Sequence, residues 1–399
     1  MRQAMTRRRM VGLVESLTVV MVVSALAGCG NGRAVVASST GTTAVQAVRG
    51  VSGASAAAPA TTSAPATTVS NANGRLPVPA ARAAARLFLV GLGGTQAPPD
   101  VLRSFAAHEW GGVVLEPGNG VSPQQVADLI GTLQGTARSA GHVAPLIAAS
   151  QLGGERDAVP VGSRPQADAA TPAAALTAAA GAAKALRPLG VRMVLAPDAD
   201  IALAGGPWEG LAFSDDPATT AAMVTAAVAG WKVGKVAPAP GHFPGEGAAS
   251  GDPSTEAATV GLSLDELKAR DLQPFAAIAK HAPAIQLSAA TYVAFDGVTP
   301  ATLLPEVVTL LRGELGFGGV IVSGDLAAAS LTGGESVAQL AVRAVKAGVD
   351  LVWIPGDVAA QDAAWRAVVR ALRDGTIPAS RVADALARVS KLRADYGVE

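Results

Sequence analysis

The chain has 399 residues carrying 31 basic and 31 acidic side chains, with half of its residues apolar, 4% aromatic and one cysteine. Balanced charge offers no basic face for nucleic acid. A lone cysteine excludes disulfides within the chain and thiol-rich metal sites.

The first elements in the chain are topogenic. Arg2 and Arg7 to Arg9 form a basic start, Val11 to Ala27 is largely apolar, and Leu26-Ala27-Gly28-Cys29 closes the stretch. A run this short, interrupted by Glu15, suits a cleaved signal peptide over residues 1–28 better than a permanent membrane span. Cys29 then becomes the site of lipid attachment, and a multiply acylated Cys29 holds the protein on the outer face of the membrane, in the cell envelope. Cleavage removes four arginines and one glutamate, so the neutral precursor leaves a mature net charge of −3. Residues 29–80 are Ala, Thr, Ser, Val, Pro and Gly with almost no charge, a composition that predicts a flexible tether. Residues 81–399 are expected to form one α/β domain.

From Arg86 onward, eight short apolar runs alternate with helical stretches. The runs are Leu87 to Val90, Gly112 to Leu115, Pro145 to Ala149, Val191 to Leu195, Lys235 to Pro238, Ala284 to Ser288, Gly319 to Ser323 and Asp350 to Ile354. Between them, apolar residues recur at helical spacing over Pro98 to His108, Pro123 to Ala137, Pro172 to Leu186, Ala218 to Lys232, Ser263 to His281, Pro300 to Gly313 and Glu335 to Ala347. Two more helices, Gln361 to Arg373 and Ser380 to Leu392, follow the last run. Short apolar strands separated by helices require a parallel sheet covered on both faces, and eight units predict a (β/α)8 TIM-type barrel. An open doubly wound sheet is the alternative, but Gly91-Leu92-Gly93-Gly94 lacks the spacing of a dinucleotide fingerprint. In a barrel, function belongs on the loops at the C-terminal strand ends.

The chain carries Val90-Gly91-Leu92-Gly93-Gly94-Thr95, Gly241-His242-Phe243-Pro244-Gly245, Arg312-Gly313-Glu314-Leu315-Gly316-Phe317 and Lys346-Ala347-Gly348-Val349-Asp350-Leu351. Together they resemble the N-terminal barrel domain of glycoside hydrolase family 3, and within it the single-domain bacterial β-N-acetylhexosaminidases. The resemblance implies a carboxylate nucleophile at the seventh strand end, where this chain reads Ser323-Gly324-Asp325-Leu326. Gly324 thus stands in the nucleophile's place and Asp325 matches the second acid of the run. The implied acid/base is a histidine two residues after an aspartate; Asp252 is retained, and Ser254 replaces the histidine. A serine hydroxyl does not shuttle protons near neutral pH without a base beside it. Glu246, Asp252 and Asp325 are the possible substitutes.

The sugar-gripping positions implied by the resemblance fall on Ser150 and Gln151 after the third run, Asp200, Leu211 in place of an arginine, Gly241 in place of a lysine, and His242. Asp200, His242, Asp252 and Asn119 are the polar residues retained, each with a structural alternative: Asp200 as a loop support, His242 as a satisfied inner-barrel histidine. Trp208 and Phe213 are candidates for an aromatic platform or for loop packing. His108, His142, His242 and His281 lie far apart in sequence, so no metal and no cofactor is expected. The reading that follows is a cell-surface lipoprotein on a family 3 barrel, catalytically impaired, that binds peptidoglycan amino sugars or an envelope protein. The alternative is an active retaining β-N-acetylhexosaminidase acting on peptidoglycan-derived amino sugars.

Overall fold

The computed structural model describes residues 76–331 and 334–398; Cys29, the leader and most of the tether lie outside the described residues. Eight parallel strands follow one another in chain order: β1 Phe88–Val90, β2 Gly112–Leu115, β3 Leu146–Ser150, β4 Met193–Leu195, β5 Ala237–Pro238, β6 Ala284–Gln286, β7 Val320–Asp325 and β8 Leu351–Ile354. Hydrogen-bonded neighbours run β5-β4-β3-β2-β1-β8-β7-β6. The remaining seam is closed by backbone bonds from Gln286 N to Pro240 O (2.9 Å) and from Phe243 N to Gln286 O (2.9 Å). Each expected run contributes one strand, and the ring is the TIM-type barrel rather than the open sheet.

Strand residues alternate between two compartments. Leu89, Val114, Leu146, Ala148, Met193, Val322 and Leu351 fill the barrel interior. Their neighbours Phe88, Val90, Val113, Ile147, Val194, Ile321 and Val352 face the surrounding helices, as a strand period of two dictates. Val389, Leu392 and Tyr396 of the last helix, Ala379–Tyr396, join the interior cluster and plug one end of it.

Three helices start with a polar cap followed by proline at the first helical position. They are Pro123–Ser139 capped by Ser122, Pro172–Leu186 capped by Thr171, and Pro217–Val233 capped by Asp216. The abundance of alanine and glycine has a packing reason: a Cβ on Gly230 would lie 2.3 Å from Leu176 O, and one on Gly234 2.3 Å from Ala183 Cβ. The Pro172–Leu186 and Pro217–Val233 helices therefore approach closely only because these residues are small.

Two helical stretches are more broken than the periodicity predicts. Ser263 to His281 divides into Leu264–Ala269 and Leu272–Ile278, with Arg270 out of helical geometry between them. Pro300 to Gly313 divides into a 3-10 turn, a short α-helix Pro305–Thr309 and a π-turn Leu310–Glu314; Pro305 cannot donate to the preceding turn.

At the end of the barrel away from the C-terminal strand ends, the buried Asp350 carboxylate receives Arg312 Nη2 (2.6 Å), Arg381 Nη2 (2.6 Å) and Arg388 Nη1 (3.2 Å), together with Ile321 N (3.0 Å). One acid there ties β8 to the π-turn and to the last helix.

Candidate functional site

A cavity of about 220 Å³ opens at the C-terminal strand ends, where a barrel carries its chemistry. Ser150, Gly241, His242, Glu246, Asp252, Ser254, Gly324 and Asp325 all line it, as do Glu116, Asp198, Trp208 and Trp353. A larger cavity of about 660 Å³ lies beside the barrel between the Pro172–Leu186 and Pro217–Val233 helices. That one is walled mainly by alanine and other apolar groups, and it does not reach His242, Glu246 or Asp325. The smaller cavity is the candidate site because the polar side chains converge there.

The Gly241 to Gly245 segment crosses the mouth from β5, with cis bonds at Gly241–His242 and Phe243–Pro244. Gly245 has φ +123° and a Cβ there would lie 2.5 Å from Asp271 Cβ, so only glycine fits. This turn delivers His242 onto the loop after β4, where its Nδ1 lies 2.8 Å from Asp200 Oδ2 and 3.6 Å from Glu246 Oε2. Asp200 Oδ1 also accepts Glu246 N at 2.6 Å, and the Trp208 indole stacks on the imidazole at 4.7 Å between ring centroids. For Asp200 the structural alternative is the one seen, since it supports the loop and does not line the cavity, while His242 stands at the cavity wall.

Burial alone would lower the His242 imidazole, but the carboxyl groups of Glu246, Asp200 and Asp198 outweigh it and raise it to about 10. Burial lifts Glu246 to about 7; its Oε1 accepts Ala289 N at 3.1 Å. Asp198 is raised well above the usual carboxylate range by burial and by its neighbour Asp200. Its Oδ1 accepts Asp200 N at 2.8 Å, while its buried Oδ2 has no partner. Asp198, Asp200 and His242 each offer one potential ligand atom within 4.8 Å of the others. The sequence spacing of the histidines gave no sign of this cluster, because two of its members are aspartates from another loop.

Across the cavity, Asp325 ends β7 and Glu116 follows β2. Burial raises Asp325 to about 6. Burial, and then repulsion from Asp325, raise Glu116 to about 7. Asp325 Oδ1 accepts Ala327 N at 2.6 Å, so it caps a turn, and it borders the cavity as well. Adjacent strand residues are expected to face opposite ways, yet Gly324 and Asp325 both line the cavity. Glu116 and Asp198 were missed in the sequence, although a carboxylate directly after an apolar run is the signal a barrel strand end gives.

Gly324 leaves little space for a side chain: a Cβ there would lie 3.2 Å from Ala289 Cβ and 3.3 Å from Leu287 O. Ser254 is exposed, and its hydroxyl donates to Asp252 Oδ1 at 2.7 Å. Three positions expected to hold sugar do not meet the cavity; Asp200 lies behind its wall, bonded to His242 and to Glu246 N. Leu211 is absent from its wall, being carried on a turn closed by its N–H to Trp208 O. Gln151 turns its amide to Val159 O at 3.0 Å and borders the larger cavity instead. Phe213 lies there too, so of the two expected platform residues only Trp208 reaches the mouth. Asn119 is structural, donating to Leu92 O and Gly94 O and accepting Glu116 N.

A family model described as the glycosyl hydrolase family 3 N terminal domain matches residues 93–392. A β-hexosaminidase of Stenotrophomonas maltophilia (strain K279a) is 32% identical over 283 residues, covering 67% of this chain and 83% of that one. The structure is similar to a family 3 β-N-acetylglucosaminidase from Paenibacillus sp. str. FPU-7, with a TM-score of 0.76 and 29% identity over 79% of this chain and 62% of that one. It is also similar to a β-N-acetylhexosaminidase from Beutenbergia cavernae DSM 12333, with a TM-score of 0.73 and 28% identity over 80% of this chain and all of the other.

Proposed function

The chain belongs to glycoside hydrolase family 3, and from that premise we propose that it binds a terminal amino-sugar residue of the cell wall in the barrel mouth without cleaving it efficiently. The observation that carries this reading is the crowding at Gly324, where a nucleophilic carboxylate would begin 3.2 Å from Ala289. Ser254 supports it, because the base beside its hydroxyl is a carboxylate, far too weak to take a serine proton at neutral pH. Binding is supported by the buried indole N–H groups of Trp208 and Trp353, both on the cavity wall and both without an acceptor. A sugar hydroxyl supplies such an acceptor.

The names of the relatives, all hexosaminidases or glucosaminidases, support an amino sugar as the ligand class. In this reading the leader delivers Cys29 for lipidation and the protein works at the outer face of the cytoplasmic membrane. Loss of membrane association on Cys29→Ala, followed by fractionation, tests that part; an unchanged distribution rejects it.

Turnover of an aryl β-N-acetylglucosaminide beside calorimetric titration with N-acetylglucosamine tests the rest. Binding without turnover supports the proposal. A second reading, an active hydrolase, is favoured by Glu116 and Asp325, two carboxyls raised on one cavity wall as an acid and a base would be. Turnover abolished by Glu116→Gln or Asp325→Asn would establish that reading instead.

A further inference from the structure

We propose that the cavity selects an amino sugar bearing a free ammonium group over its N-acetylated counterpart. This rests on the carbohydrate-binding reading and specifies its ligand. Five carboxyl side chains line the cavity: Glu116, Asp198, Glu246, Asp252 and Asp325. Only His242 and Arg156 oppose them. His242 is committed to Asp200 and Glu246, and Arg156 is exposed at the rim. Among the described residues the space at the centre is therefore lined by five acids against one committed imidazole and one cation, Arg156, held out at the exposed rim.

Two of these acids await a donor. Asp198 is 2% exposed and its Oδ2 has no hydrogen-bond partner. The Glu116 carboxyl accepts no hydrogen bond among the described residues, and its nearest electrostatic influence is the like charge of Asp325. An unpartnered buried carboxyl such as Asp198 is costly, and a buried cation is costly unless surrounded by acceptors. An ammonium answers both, with three donors and a positive charge. An acetamide brings one donor, no charge and a methyl group, and leaves Glu116 and Asp325 repelling one another. The indole N–H groups of Trp208 and Trp353 are then left for the sugar hydroxyls.

Binding of an ammonium draws protons off the raised carboxyls, so its affinity climbs as they ionise. The full-length protein in detergent is titrated calorimetrically with glucosamine, N-acetylglucosamine, glucose and ethanolamine at pH 5 and pH 7, with EDTA present. The expected result is glucosamine at least about tenfold tighter than N-acetylglucosamine at pH 7, with that margin shrinking at pH 5 and in Glu116→Gln. N-acetylglucosamine binding as tightly as glucosamine overturns the selectivity and leaves the carbohydrate-binding reading standing. Ethanolamine binding as tightly as glucosamine also overturns it, since the site would then read charge without the ring. No sugar binding at either pH overturns both.

Discussion

His242 Nδ1 lies 2.8 Å from Asp200 Oδ2, and the same carboxylate accepts the backbone N–H of Glu246 at 2.6 Å. Asp200 thereby fixes the imidazole and the turn after it as one unit. Asp200→Ala removes a buried acceptor from both and is expected to cost about 3 to 5 kcal/mol of stability. Denaturant unfolding checks it; a loss under about 1 kcal/mol would mean that the pair is incidental.

Stability is expected to fall as pH rises from about 5 to 8. Glu116, Glu246 and Asp325 hold protons more tightly folded than unfolded, so their contribution is present near and below pH 4.5 and fades as pH passes through about 6 to 7. His242 acts in the same direction over a higher window: its stabilisation is complete below about 6.5 and lost as pH approaches about 10. The combined change is on the order of several kcal/mol, most of it from Glu246 and His242, since Glu116 and Asp325 are partly reached by solvent. Melting temperatures recorded from pH 5 to 8 that stay flat or rise would contradict it.

Gly324→Asp is expected to lower stability by about 1 to 3 kcal/mol, because its Cβ meets Ala289 and Leu287 O inside van der Waals range. It is also expected to leave aryl glycoside turnover at background, since Ser254 still stands at the proton-shuttle position. Gly324→Asp combined with Ser254→His is the informative partner. Turnover in the single variant would show that the proton has another route.

Sugar binding is expected to change tryptophan emission, since Trp208 and Trp353 both border the cavity. Trp353→Phe removes one unpaired indole donor and is expected to weaken binding by about 0.5 to 1.5 kcal/mol. An unaltered affinity in Trp353→Phe would remove that indole from the site.

Asp350→Ala is expected to be the most damaging change outside the mouth, at about 3 to 5 kcal/mol, because it leaves Arg312, Arg381 and Arg388 facing one another. Thermal unfolding reads it, and ligand affinity in the surviving folded protein is expected to be unchanged.

The barrel was legible because each strand is a short run of mostly buried apolar residues, and periodicity reports that directly; Gly112 to Leu115 is buried throughout and matches to the residue. Breaks at Arg270 and Pro305 were less legible, since apolar spacing continues through them while the backbone does not. At the site, His242, Glu246, Asp252 and Asp325 were reachable from motifs. Glu116 and Asp198 were not, because their importance comes from the neighbours the fold gives them: Asp325 for one, Asp200 and His242 for the other. Leu211 was placed by alignment of a motif, but the turn that carries it leads away from the cavity wall.

Leu89, Val114, Leu146, Met193, Val322 and Leu351 fill the barrel below the mouth, and Val389, Leu392 and Tyr396 close its far end. The barrel is therefore a floor and not a passage. Whatever enters the mouth leaves by the same door, and under the carbohydrate-binding proposal a glycan is met at the rim and never threaded through the ring.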